Sequence, residues 1–359
     1  MDAFSHRNPL NLLRGIAVLM VIGHHFQHYL KTNLEPIGTY GGLLGVQLFF
    51  LISGYLIVIS ASRHDFFKFM RGRALRVFPA YWFVLLLASI FYNPVLPYAS
   101  EDAPYFWINF FSLTHFVPFS LVKFDVLTVA WTLTIEWTWY FIAPLLLAVA
   151  SVSWVNARLG KWFCALALLG AFFIQMLWYF SVKSGVLDPL FAASIAKIGI
   201  SPINDHMRIA FMYSAAPSQW VFFVLGAALW FYQDTLKRVP ASIWFLVGCA
   251  ILGFPILWPL GLGLSPSVVS GLGLAALFLT SLQCPKALNN KLLLPLHWIG
   301  DWSFPLYLLH VPVMLTLAKH FQMSSYFGLM VCLLITIVLA GVVHFLVELP
   351  FRRLHRNSL

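Results

Sequence analysis

Leu12-Leu13-Arg14-Gly15-Ile16-Ala17-Val18-Leu19-Met20-Val21-Ile22-Gly23-His24-His25 is the run on which the reading of this chain turns. With its flanks, over 9–29, it is long enough and apolar enough to cross a bilayer core, which takes about 20 helical residues. Arg14 and His25 are eleven residues apart. Eleven steps close nearly three helical turns, so the two share one stripe, about 16 Å apart along the axis at about 1.5 Å per residue. Ionisable side chains inside a bilayer are costly and mark function. A cation near one face and a titratable base deeper in suggest chemistry that crosses the membrane.

The rest of the chain agrees. It has 359 residues, 61% hydrophobic and 9% charged, with mean hydropathy +0.85, whereas soluble domains carry about 25% charged residues. Nine further segments read as spans, near 41–62, 77–93, 129–150, 162–182, 216–234, 241–259, 266–283, 301–320 and 326–347. The expected fold is all-α, a polytopic membrane protein of about ten transmembrane helices forming one domain over 1–359 with no appended soluble domain. The first segment, with no small-residue cleavage site after it, reads as a retained helix.

Positive-inside bias sets the orientation. With the N-terminus in the cytoplasm, sixteen of the 22 basic residues fall on the inner side, including Arg63, Lys68, Arg71, Arg73, Arg76, Lys237, Arg238, Arg352 and Arg353. An odd number of spans would put Arg352, Arg353 and Arg356 outside, so both termini are expected in the cytoplasm. The net charge of +10 is then a topology signal, and no nucleic-acid partner is expected. Fourteen Trp and thirteen Tyr suit interfacial belts. The four cysteines contain no CxxC pair, so neither a disulfide framework nor zinc is expected. His24 and His28 have i,i+4 spacing but no acid nearby in sequence, and no metal site is expected. Two long outer connections, 94–128 and 183–215, have the length of functional loops; the first carries Tyr98, Tyr105, Phe106, Trp107 and His115.

Four constellations carry the chemistry. His25, with an ordinary pKa near 6.5, can act as general base on a hydroxyl; its plainer role is polar packing at a helix end, as Arg14's is snorkelling to the inner boundary. In the loop expected after the second helix, Arg73 and Arg76 are three apart and can hold a phosphate bidentately, or serve only as positive-inside charge. In Trp131-Thr132-Leu133-Thr134-Ile135-Glu136-Trp137, Glu136 is an acid within a span; it must be paired or protonated, and can orient a basic group or form a structural ion pair. Tyr307 and His310 share a face of a helix that Asp301 is expected to begin, where the acid would favour the N-terminus.

On these residues the chain resembles the membrane-bound acyltransferase-3 family, which includes bacterial O-antigen and exopolysaccharide O-acetyltransferases. Arg14 to His25 resembles its R-x10-H motif, and Gly45 to Gly54 its second-helix signature. Arg73-x-x-Arg76 resembles RxxR, and Trp131 to Glu136 resembles W-[ST]-L-S-x-E. Ser303 to Pro312 resembles S-[YF]-x-L-Y-L-x-H-x-P, and Glu348 to Arg353 matches E-x-P-x-R-R. Asn11, Gln47 and Trp137 depart from it, standing where Asp, Asp and Glu are frequent.

The resemblance implies an O-acyltransferase of the bacterial inner membrane. It would move an acyl group, in the first instance acetyl, from cytoplasmic acetyl-CoA to a hydroxyl of O-antigen, lipopolysaccharide, exopolysaccharide or a lipid-linked sugar. His25, Glu136 and Arg14 are the expected catalytic residues. Arg73, Arg76 and Arg14 would hold the donor, and Tyr307, His310 and Trp131 would contact the acceptor. A proton-coupled permease and an acyltransferase for a small metabolite are the alternatives.

Overall fold

A computed structural model describes residues 8–91, 103–114, 127–152, 162–189, 192, 214–257, 266–321 and 326–357. Among these residues the regular structure is helical and no strand is present. The principal helices are α1 (Pro9–Leu30), α2 (Ile37–Ala61), α3 (Phe66–Phe91), α4 (Ala103–Phe110), α5 (Trp131–Ser151), α6 (Phe163–Lys183), α7 (Ala216–Phe231), α8 (Ala241–Leu257), α9 (Pro266–Gln283), α10 (Leu294–Asp301), α11 (Ser303–Phe321), α12 (Tyr326–Val343) and α13 (Leu349–Asn357).

Each of the ten expected segments meets a helix. Six helical stretches are long and apolar enough to cross a membrane: α1, α2, α3, α5, α6 and the continuous run Tyr326–Leu354. The helices over the other four segments, α7, α8, α9 and α11, are shorter. Apolar side chains face outward all along the long helices, among them Leu169, Phe173, Phe327, Leu334 and Leu346, each more than 60% exposed. Exposed apolar area on that scale suits lipid, and the chain is a multi-pass membrane protein.

The largest departure from expectation is α3. It begins at Phe66, so Lys68, Arg71, Arg73 and Arg76 lie on a helix and not in a loop. Their charge hides the helix from a hydropathy reading, although Lys and Arg are good helix formers. The α-helical period then separates them: Lys68 and Arg71 are exposed, while Arg73 and Arg76 are half-buried. Asp301 is the second departure. It ends α10 instead of beginning α11, which starts at Ser303.

α1 lies at the centre of the bundle, packed on α2, α10 and α11. Small residues make those approaches possible. A Cβ on Gly15 would overlap the Leu296 carbonyl, and one on Gly300 the Asn11 carbonyl, so α1 and α10 touch backbone to backbone. α2 and α7 cross in the same way: a Cβ on Gly54 would overlap the Phe223 carbonyl, and one on Gly226 the Leu51 carbonyl. Gly54→Val is therefore expected to push the two helices apart, at the upper end of the 1–3 kcal/mol typical of overpacking, about 3 kcal/mol. Size-exclusion profiles of detergent-solubilised protein after graded heating would show it as earlier loss of the monodisperse peak; an unchanged profile would refute the crossing.

At the other end of α1 a polar knot closes the turn to α2. Thr39 Oγ1 and Gln27 Nε2 donate to Glu35 Oε1 at 2.6 and 2.5 Å. These bonds, Thr39's first, hold the Glu35 carboxyl below the usual carboxylate range. His24 Nδ1 faces the Gly38 carbonyl at 2.6 Å in the same knot. Of the aromatics expected in the first long connection, Phe106 is buried in the core and Trp107 is half exposed. Tyr98, His115 and the Tyr105 side chain lie outside the described residues, as does most of 183–215.

Candidate active site

α1, α2, α3, α5 and α11 line a partly open cavity. Arg14, Arg73, Arg76 and Glu136 line it, with Ser53, Thr132, Tyr140, Ser303 and Tyr307 supplying hydroxyls. Three guanidinium groups against one carboxylate make it a site for an anion. Phe49, Phe50, Phe304, Val46 and Leu56 form its apolar wall.

Glu136 is placed by the period of α5. Thr132, Glu136 and Tyr140 are spaced i,i+4, so all three stand on the face turned to the cavity. Ser53 Oγ donates to Glu136 Oε1 at 2.9 Å, which ties α2 to α5. The Tyr140 side chain interacts with both Glu136 and Arg73. Arg73 also lies over the rings of Phe69 and Tyr140, 5.4 and 5.9 Å from their centroids. Such packing fixes the plane of the guanidinium and leaves its edge for a ligand. Tyr140 went unread in the sequence, where its spacing from Glu136 was the available signal.

Arg14 is positioned from α10. Asn11 Nδ2 donates to Asp301 Oδ1 at 2.6 Å, and Arg14 Nη1 donates to Asn11 Oδ1 at 3.4 Å. An amide suits position 11 because it donates to one partner and accepts from the other; an aspartate there would set two carboxylates face to face. The Asn11 departure thus has a local reason.

His25 does not line the cavity. It is joined to it through α11. Tyr307, in the cavity wall, donates from its hydroxyl to the Val129 carbonyl at 3.2 Å and accepts from Thr132 Oγ1 at 3.2 Å. His310, fully buried one turn on, has Nδ1 2.7 Å from the Tyr307 carbonyl and Nε2 3.0 Å from His25 Nδ1. His25 Nδ1 is also 3.0 Å from the Val21 carbonyl. A carbonyl only accepts, so in the neutral rings both Nδ1 atoms carry hydrogen. His310 Nε2 is then the acceptor for the His25 N–H. Among the described residues that leaves the His25 Nε2 lone pair without a hydrogen-bond donor, the form a general base requires.

Two of the residues expected to contact the acceptor, Trp131 and His310, lie outside the cavity lining. Trp131 is not among the cavity-lining residues; its ring packs edge-on against Phe50, 6.5 Å between centroids. Its neighbour Thr132 lines the site instead. His310 spends both ring nitrogens on Tyr307 and His25. Among the described residues no group of three or more His, Cys, Asp or Glu side chains is placed to hold a metal ion.

A family described as an acyltransferase domain matches residues 8–346. The chain is similar to the peptidoglycan O-acetyltransferase OatA of Listeria monocytogenes, 26% identical over 84% of this chain and 48% of the relative. It is 26% identical to nodulation protein 10 of Rhizobium leguminosarum bv. viciae, over 99% of this chain and 95% of that protein. It is 24% identical to O-acetyltransferase OatA of Staphylococcus aureus, over 96% of this chain and 57% of the relative. The chain thus spans about half the length of the OatA proteins. No solved structure matches.

Proposed function

Since the chain belongs to the acyltransferase-3 family, we propose that it is an integral membrane O-acetyltransferase, moving acetyl from acetyl-CoA to a hydroxyl of a cell-surface glycan. The observation that carries this reading is one pocket tied to a histidine pair. Its charged part is built from Arg14, Arg73, Arg76 and Glu136, and its Tyr307 wall leads through His310 to His25. The pocket that suits an anionic donor and the general base are then joined through α11. Membership of an acyltransferase family displaces the permease alternative, which needs no base aligned with an anion site.

In this mechanism the inner face is cytoplasmic and acetyl-CoA enters there. Arg73 and Arg76 grip its phosphates, and the apolar wall takes the pantetheine arm. The acceptor comes from the opposite end, beside the turn between α1 and α2. His25 Nε2 removes the proton of the attacking hydroxyl as its oxygen bonds to the thioester carbon. Arg14 stabilises the negative charge that develops on the carbonyl oxygen. The C–S bond then breaks, and the departing thiolate receives the proton held on His25. Glu136 holds Arg73 and Arg14 in place.

The resemblance to proteins named peptidoglycan O-acetyltransferase and O-acetyltransferase supports a saccharide acceptor in the envelope, in the class of peptidoglycan, O-antigen, exopolysaccharide or a lipid-linked sugar. The test is mass spectrometry of cell-surface glycans from cells with and without the gene. The expected result is an acetyl mass increment, present with the gene and absent without it. Glycans that are identical in the two strains would overturn the reading.

A further inference from the structure

The chain leaves α12 through a single π-helical turn, His344–Glu348, before α13. A π-turn carries one extra residue, and isolated π-turns recur at functional sites. Each residue of an α-helix turns the register by about 100°, so the extra one re-aims everything after it. Here that includes Arg352. Glu348, 3% exposed, uses one carboxylate oxygen to accept from His344 Nδ1 at 2.7 Å and the other to accept from Arg352 Nη1 at 3.5 Å. The turn and α13 both pack on α3, the helix that carries Arg73 and Arg76. Arg352 shares the neighbourhood of Arg76 and Arg14, whose like charges act against its own. A buried carboxylate and a helix irregularity thus hold a fourth guanidinium near these like charges, outside the residues that line the cavity. The group that relieves such repulsion is a multivalent anion.

We propose that Arg352 is a third phosphate-binding cation of the acyl-donor site, beside Arg73 and Arg76, held by Glu348. This rests on the donor reading given above. The site would take the phosphate of a nucleotide thioester; an anionic lipid headgroup offers the same chemistry from another source. Binding by calorimetry separates them, with purified full-length protein in neutral detergent and with CoA and pantetheine as probes. Pantetheine keeps the thiol arm and lacks the phosphates. Wild type is expected to bind CoA at least tenfold more tightly than pantetheine. Arg352→Gln is expected to weaken CoA about tenfold and leave pantetheine unchanged, and Arg352→Lys to lose less. Arg353, the exposed neighbour, is the control: Arg353→Gln removes the same charge and should bind both probes as wild type does. The inference is overturned if Arg352→Gln binds CoA as Arg353→Gln does, or if both probes weaken in parallel. It is also overturned if CoA binding is untouched while co-purifying phosphatidylglycerol is lost, which would assign the cation to lipid. A wild type that binds both probes equally would instead remove the donor reading itself, and Arg352's role with it.

Discussion

His25→Ala is expected to lower acetyl transfer from acetyl-CoA by about 10²–10⁴-fold, the usual contribution of a positioned general base. The loss should fall on kcat. The proposed donor anchors Arg73 and Arg76 are on α3, not on α1, so KM for acetyl-CoA should stay within about threefold of wild type. His25 meets α11 only through its ring, at His310, whereas a Cβ on Gly15 would overlap a neighbouring backbone, so the variant should remain monodisperse after solubilisation. Steady-state kinetics with isotopically labelled acetyl-CoA and isolated envelope glycan would measure both constants. Retention of more than a tenth of the wild-type kcat would remove His25 from the chemistry. His310→Ala should cost less, about tenfold, because the Val21 carbonyl still holds the His25 Nδ1 hydrogen. If the two variants lost activity equally, the base would have to be reassigned to the pair as a unit.

What the sequence discloses and what it conceals divides along physical lines. Apolar runs of bilayer length stand out in any hydropathy reading, and each expected segment overlaps a helix, six of these long and apolar enough to cross a membrane. The charged start of α3 did not stand out, because a run with Lys68, Arg71, Arg73 and Arg76 looks like a loop until its period is used. Within that run the three-residue spacing did place Arg73 and Arg76 on one face, and both line the cavity. The i,i+4 row Thr132, Glu136 and Tyr140 was equally available. What could not be read are pairings between helices far apart in sequence. His310 meets His25 across 285 residues, and Asp301 meets Asn11 across 290. No local pattern encodes either bond: His310 is tied to His25, and Asp301 serves as a bridge behind Arg14 instead of beginning a helix. The π-turn at His344–Glu348 is concealed in part: its i,i+4 histidine–glutamate pair is legible, whereas the extra residue between them is not.

Glu136→Gln is expected to lower kcat by about 10²-fold, the scale of a small misplacement of catalytic groups, and to destabilise the protein as well. Glu136 is the carboxylate in a cavity wall that also holds Arg14, Arg73 and Arg76. Glutamine keeps the shape and the bond from Ser53 but removes the charge, leaving three guanidinium groups to repel one another across one chamber. Thermal unfolding in detergent should therefore move to lower temperature, and added CoA should restore more of it than in wild type, because its phosphates supply the missing negative charge. A catalytic role and a charge-balancing role separate in the double variant. If Glu136 only balances charge, Glu136→Gln with Arg73→Gln should be more stable than Glu136→Gln alone, with a coupling of about 1–3 kcal/mol. Its kcat for acetyl-pantetheine, a donor that does not need the phosphate grip, should then recover. If Glu136 also orients Arg14 toward the reacting carbonyl, stability recovers and kcat does not. The second outcome is expected, since Arg14 feels Glu136 directly and the double variant leaves that interaction broken. Recovery of both would reduce Glu136 to a counter-ion.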